Sequence, residues 1–150
     1  MALSPSAARR AARETALRVL YMVEVGKTPL SDALDETIAV HELDEDGAMF
    51  VRSLVGVTYD RATELDEAIR TYAIGFPPER QEIVDRNILR LSLAELESHP
   101  DTPPGVIANE AVELAKKYST PKAAKFINGV LGALIREKEG KEVPKEQVEV

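Results

Sequence analysis

The chain has 150 residues, of which 44% are hydrophobic and 30% charged, with a formal net charge of -7. This composition fits a folded helical or mixed domain and excludes a disordered chain. Cysteine is absent, which excludes disulfides and thiolate metal sites. No stretch approaches the ~18 apolar residues of a membrane span, and the basic N-terminus has no uninterrupted apolar segment behind it. The expected location is therefore cytoplasmic.

The net charge conceals a segregation. Residues 1–26 carry a net +2, residues 30–70 a net -8, and residues 107–138 a net +3. Two basic segments thus bracket an acidic one. A polyanion on one face and a basic partner on another would account for this; so would local drift in helix composition.

The elements read as helices throughout, because no period-two alternation of β-branched residues marks a strand. Ser4-Pro5 is an N-cap followed by a first-turn proline, and Ala8, Ala12, Ala16, Val19, Leu20 and Val23 then fall on one stripe. Gly26 marks the stop. Thr28-Pro29 opens a second helix in the same manner, carrying Leu30, Ala33, Leu34 and Ile38 into the acidic loop HELDEDG. A third helix starts near Asp46, carries Phe50, Leu54 and Val57, bends near Thr58 to Arg61, and continues through Leu65, Ile69 and Tyr72. GFPPER is a break. The segment with Ile83, Val84, Ile88, Leu91 and Leu96 has an apolar face broad enough for a central helix.

After the loop SHPDTPPG, Ile107, Ala111, Leu114, Ala115 and Tyr118 define an amphipathic helix, with Lys116 and Lys117 in its last turn. Thr120-Pro121 repeats the cap-and-proline device. The last helix carries Ala124, Ile127, Leu131 and Leu134 on one stripe, with Phe126, Val130 and Ala133 beside it. These elements imply a single helical domain over residues 1–138, in halves of about 1–75 and 76–138, followed by a flexible polar tail at 139–150.

Catalytic patterns are missing. The two histidines, His41 and His99, lie far apart in predicted loops. There is no nucleophile elbow, Walker A sequence or dinucleotide fingerprint. The DEDG stretch at Asp44 to Gly47 lacks the spacing and terminal glutamate of a calcium loop. Glu110 and Glu113 read as helix-surface residues, with Lys117 placed to pair with Glu113. No catalytic residue, metal site or cofactor is expected.

Two features point to binding. Arg9, Arg10 and Arg13 cluster near the start of the first helix, where the dipole disfavours cations by ~0.3–1 kcal/mol. Guanidinium groups suit phosphate, although arginine also suits a solvated helix face. The second feature is KFINGVLG. Gly129 and Gly132 each cost a helix ~1 kcal/mol relative to alanine. Close approach of a neighbouring helix would explain them, and a hydrogen bond to another segment would explain Asn128. Lys125 and Phe126 offer a cation and an aromatic ring at a helix start, though Phe126 suits a core equally well.

The stretches ARRAARETALRVLY, VDRNILRLSLAEL, IANEAVELAKKYS and KFINGVLG, in that order over roughly residues 8 to 135, resemble the NusB family of bacterial transcription antitermination factors. The resemblance implies an all-α fold of two packed helical bundles and RNA binding without catalysis. It implies that boxA of ribosomal RNA leader transcripts is bound together with the ribosomal protein NusE, in a complex that joins other Nus factors on RNA polymerase. By position it makes Arg9, Arg10, Arg13, Lys122, Lys125 and Phe126 RNA-binding candidates, and Tyr21, Asp85 and Arg90 candidates for the NusE face. Ala11 interrupts an arginine run that is longer in some members, and Lys122 stands where some relatives carry an acid. The acidic stretch from Asp32 to Asp46 is poorly matched. The competing readings are a helical protein–protein adaptor and the N-terminal domain of an rRNA cytosine methyltransferase, which would need a further cofactor-binding domain.

Overall fold

The computed structural model describes residues 3–141, so the expected tail lies outside the described residues from position 142 onward. Among the described residues there are seven α-helices and no strand. They are α1 (Pro5–Glu24), α2 (Leu30–Val40), α3 (Glu45–Asp60), α4 (Ala62–Tyr72), α5 (Ile83–Ser98), α6 (Pro104–Tyr118) and α7 (Pro121–Lys138), with a 3-10 turn at Pro78–Arg80. The helices form two units, one of the described residues up to Asp60 and one from Arg61 onward. The boundary falls at the α3–α4 junction rather than in the proline-rich break at residues 74–78, because α4 packs against α5 and α7.

In the first unit α1 packs on both α2 and α3. The Ser4 hydroxyl accepts from the Ala7 N–H at 3.2 Å, with Pro5 in the first turn, as the sequence predicts. Ala12, Ala16, Leu17, Val19 and Leu20 are buried along one side. Thr15 is buried among them; its hydroxyl donates to the Ala11 carbonyl at 2.8 Å and lies 2.6 Å from His41 Nδ1. A hydroxyl has one proton, so the ring nitrogen is the donor in this second contact, tying the end of α2 to α1.

The stop after α1 differs in detail from its sequence signal. Gly26 is needed for space: a Cβ there would lie 2.8 Å from the Met22 carbonyl oxygen. The left-handed residue is Lys27, with φ 55°. Thr28 does not cap α2; Pro29 occupies the cap position with no side-chain hydrogen bond, and its carbonyl accepts from Ala33 at 2.9 Å. The α3 start is capped by Asp44, whose Oδ1 accepts from the Gly47 N–H at 2.7 Å. The helix then buries Phe50, Val51, Leu54 and Val55.

The second unit is built around α5. Between residues 87 and 96 every side chain except Arg90 is buried. Helices α4, α6 and α7 all pack on it. The connection from α4 turns at Gly75, where φ of +79° is readily adopted only by glycine. It is held by Gln81 Nε2 donating to the Phe76 carbonyl at 2.9 Å and Arg86 Nη1 to the Pro78 carbonyl at 3.2 Å. The Tyr72 hydroxyl donates to Glu137, joining α4 to the end of α7. Thr120 caps α7 as predicted, its hydroxyl accepting from Ala123 at 3.0 Å.

Three packing expectations are corrected. Glu110 is buried, with 8% exposure, and Glu113 pairs with Lys116 at 3.6 Å instead of Lys117. Lys117 lies over the Tyr118 ring instead. Gly132 admits no close helix, because a Cβ there meets nothing within 4 Å. Its cost to helix propensity is therefore uncompensated by packing. Gly132→Ala should raise the free energy of unfolding by ~0.5–1 kcal/mol, read as a higher urea midpoint at unchanged slope. A loss of stability would show that position 132 is sterically filled.

Candidate nucleic-acid interface

The N-terminal arginines lie on α1 in the first unit. At about 100° per residue, Arg9 points close to the stripe made by Ala12 and Ala16, Arg13 to its flank, and Arg10 to the opposite side. The structure follows this geometry. Arg9 leans onto α3: its Cζ lies 3.9 Å from the centre of the Phe50 ring, and its Nη2 lies 3.7 Å from Asp46 Oδ2. Asp46 and Phe50 are one turn apart, so α3 offers the guanidinium an aromatic face and a carboxylate together. A recess of about 280 Å³ lies beside this contact, bounded by Pro5, Ala8, Arg9, Asp44 and Asp46. Arg10 is exposed on the helix surface. Arg13 is 7% exposed, so it does not present an open guanidinium to solvent as the sequence reading supposed. Tyr21, at the other end of α1, is 46% exposed.

The lysine candidates lie in the second unit, at the corner where α6 ends and α7 begins. Lys122 and Lys125 are exposed on the first two turns of α7, and neither has an ion-pair partner among the described residues. Lys116 and Lys117 occupy the last turn of α6. Four lysines thus surround one helix junction, and α7 has no acid in its first turn. Phe126 does not join them: it is 6% exposed and packs against Phe76 with ring centres 5.9 Å apart. Its role is core, the alternative that the sequence left open. Between α6 and α7 runs a groove of about 390 Å³ that includes Lys125, Lys116, Asn109 and Asn128. Asn109 and Lys116 were not singled out from the sequence, although both belong to one seven-residue face of α6.

Arg90 and Asp85 are internal to this unit. Arg90 donates from Nε and Nη2 to the two oxygens of Asp66, at 2.7 and 2.6 Å, and from Nη1 to Asn87 Oδ1 at 3.3 Å. The pair is 16% and 18% exposed and bolts α5 to α4. Asp85 sits in the first turn of α5 with 9% exposure. Burial pushes its carboxyl pKa up, opposed by a hydrogen bond from Ser119, while the neighbouring Glu82 charge adds to the rise. Asp85 Oδ1 has no hydrogen-bond partner among the described residues. Both side chains are therefore engaged mainly within the unit, with Arg90 keeping 16% of its side chain exposed. Among the described residues no group of three or more metal-ligating side chains is placed to hold an ion, and no helix is long and apolar enough to cross a membrane.

Among the described residues the protein is of the all-α class, with arginines near the start of one helix and lysines around the start of another. The chain belongs to the NusB family, whose profile matches residues 10–136. It is 40% identical over 131 residues to the transcription antitermination protein NusB of Desulforamulus reducens, covering 87% of this chain and 92% of that one. It is 38% identical over 140 residues to the NusB of Symbiobacterium thermophilum, covering 88% and 92%. A crystal structure of antitermination factors NusB and NusE in complex with dsRNA is similar, with 31% identity, a TM-score of 0.79 and coverage of 87% of this chain and 98% of that chain. NusB of T. maritima gives 30% identity, a TM-score of 0.81 and coverage of 93% and 95%.

Two variants check the internal assignments. Arg90→Ala should destabilise the fold by ~2–4 kcal/mol by leaving Asp66 half-buried without its partner, and Arg90→Lys should recover only part because it lacks the planar fork. Urea unfolding measures both; an unchanged midpoint would return Arg90 to the list of surface residues. Asp85→Asn addresses the raised carboxyl pKa. A carboxyl whose folded pKa is raised binds its proton more tightly when folded, so its penalty is absent at low pH and present once pH exceeds the folded value. To the extent that burial outweighs the favourable helix-start position of Asp85, the variant should melt higher at pH 7, and this advantage should vanish as pH falls below the ordinary carboxylate range. A pH-independent difference would reject the assignment.

Proposed function

We propose that the chain is an RNA-binding transcription antitermination factor that binds the boxA element of ribosomal RNA leader transcripts together with NusE. It acts without catalysis and without a cofactor. The observation that carries this reading is the polarity of two helix starts. α1 and α7 are capped by neutral hydroxyls, have no acid in the first turn, and place Arg9 and Arg10, or Lys122 and Lys125, in their first two turns. A phosphate there is attracted by the side-chain cations and by the helix dipole at once.

Arg10, Lys122 and Lys125 are the exposed contacts in this reading; Arg9 contributes from its seat on Phe50, and Arg13 is buried within the first unit. The family membership and the neighbour solved with NusE and dsRNA support RNA and NusE as partners. Tyr21 is the exposed candidate for the NusE face, and the acidic segment from Asp32 to Asp46 complements a basic ribosomal protein. The RNA–NusE complex would then join other Nus factors on RNA polymerase in the cytoplasm.

A salt titration of binding to boxA RNA and to a scrambled control, with and without NusE, tests the proposal. The expected result is a preference for boxA that grows with NusE. Arg10→Ala and Lys125→Ala should each weaken both RNAs and lower the magnitude of the salt slope by about 1. Weak, equal binding to both RNAs, unmoved by NusE or by either variant, would leave a helical adaptor as the better account.

A further inference from the structure

The groove between α6 and α7 has an internal order that phosphate binding alone does not use. On α6, Asn109, Val112 and Lys116 recur at i, i+3 and i+7, a single helix face. On α7, Pro121, Ala124 and Asn128 recur in the same way, with Lys125 beside them. Only Ser119 and Thr120 join the two helices, and they pack along one another, so they run antiparallel. Antiparallel registration sets Lys116 across from Pro121 at the junction end, Val112 across from Ala124 in the middle, and Asn109 across from Asn128 at the far end.

Lys116 therefore stands at the junction end, Lys125 beside the middle, and the far end carries two amides, with Val112 and Ala124 between. The ends are seven residues apart on each helix, about 10 Å. That is comparable with the reach of one nucleotide from its phosphate, across the sugar, to the far edge of its base. No residue lining the groove is acidic. Asn109 and Asn128 are exposed, and neither side chain has a hydrogen-bond partner among the described residues. Asparagine is a poor helix former, and these two gain no internal contact in return. Each carboxamide presents both a donor and an acceptor, the pattern needed to pair with a base edge.

We propose that the α6–α7 groove is a single-nucleotide site in which Lys116, Lys125 and the start of α7 take the phosphate while Asn109 and Asn128 read the edge of one unpaired base. The inference rests on the RNA-binding reading and adds to it where sequence selectivity resides. The arginines of α1 supply affinity that is indifferent to sequence, and the facing amides supply choice. The base must be unpaired, because a base already in a duplex has its pairing edge occupied.

The test follows the side-chain amide resonances of Asn109 and Asn128 in the full-length ¹⁵N-labelled protein, assigned through Asn109→Ala and Asn128→Ala. The probes are single-stranded boxA RNA and the same RNA annealed to its complement. Both amide pairs should shift with the single strand and stay in place with the duplex. In binding measurements the two asparagine variants should lower the preference for boxA over a scrambled strand by about fivefold or more while keeping the parent's salt slope. Both positions are exposed on helices and alanine is the better helix former, so the variants should remain folded by circular dichroism. Salt-dependent RNA binding with static amide signals, and with the preference within about twofold of the parent's, would overturn the nucleotide site and leave the RNA-binding reading standing. Absence of salt-dependent binding to any RNA would overturn both.

Discussion

The backbone N–H groups at the start of a helix carry partial positive charge, and six of the seven helices treat that constraint in two different ways; α6 opens on Pro103 with neither an acid in its first turn nor a side-chain cap. Helices α2, α3, α4 and α5 open with acids: Asp32, then Glu45 and Asp46, then Glu64, then Asp85. Each places negative charge against the positive end of its own helix. Helices α1 and α7 instead use Ser4 and Thr120, which satisfy one N–H apiece without adding charge, and then carry cations. The field at those two starts is left unneutralised and is reinforced by side chains. The stability lost is a few tenths of a kcal/mol per cation at an exposed site. On the proposed reading, an anionic ligand would reverse the sign of the arrangement at α1 and α7.

The second unit shows what holds such a surface in shape. α5 is buried nearly all round from residue 87 to 96, and the one partly exposed cation in that stretch, Arg90, is matched to Asp66. Helices α6 and α7 lie on this rod as well as on each other. The spacing of the groove between them is then set by packed apolar side chains such as Ile107, Leu114, Ile127 and Leu131, whose burial resists small displacements. The lysines and amides of the groove are solvent-facing, but the backbone beneath them is not free to spread.

The fold was legible wherever one local rule decided the outcome. Ser4-Pro5 and Thr120-Pro121 read correctly because the cap needs only a hydroxyl and the adjacent proline. The stripe of α7 read correctly because all seven of its named apolar residues are buried. Thr28-Pro29 has the same letters but follows the reversal at Lys27, so the threonine sits in the turn and the helix starts one residue late. The site was harder. Residue type identified Arg13, Arg90, Asp85 and Phe126 as candidates, yet whether a side chain faces water depends on which neighbouring helix covers it, and local spacing does not encode that. The angular position of the arginines did carry a signal: Arg10 is the member of the cluster that turns away from the stripe of Ala12 and Ala16, and it is the exposed one. Asn109 carried none until α7 was placed across from it.

The contact between Arg9 and α3 connects the acidic segment to the arginine cluster. A guanidinium has two kinds of surface: a flat face, which meets an aromatic ring, and an edge of N–H donors, which meets an oxyanion. Phe50 occupies the face, at a distance set by ring stacking, and is itself buried and fixed. Asp46 approaches the edge, but at 3.7 Å and with 87% of its side chain exposed, where an ion pair contributes ~0–1 kcal/mol. The two contacts are therefore not equivalent when a phosphate arrives. On the proposed reading a phosphate would compete only with Asp46, the weak and solvated partner, without lifting the guanidinium from Phe50. The ring limits the rotamers available to a long side chain before binding, which lowers the entropy lost on contact. On the proposed reading, Asp46 would act less as an obstacle than as a placeholder, keeping the donor edge of Arg9 turned toward the position a phosphate would take.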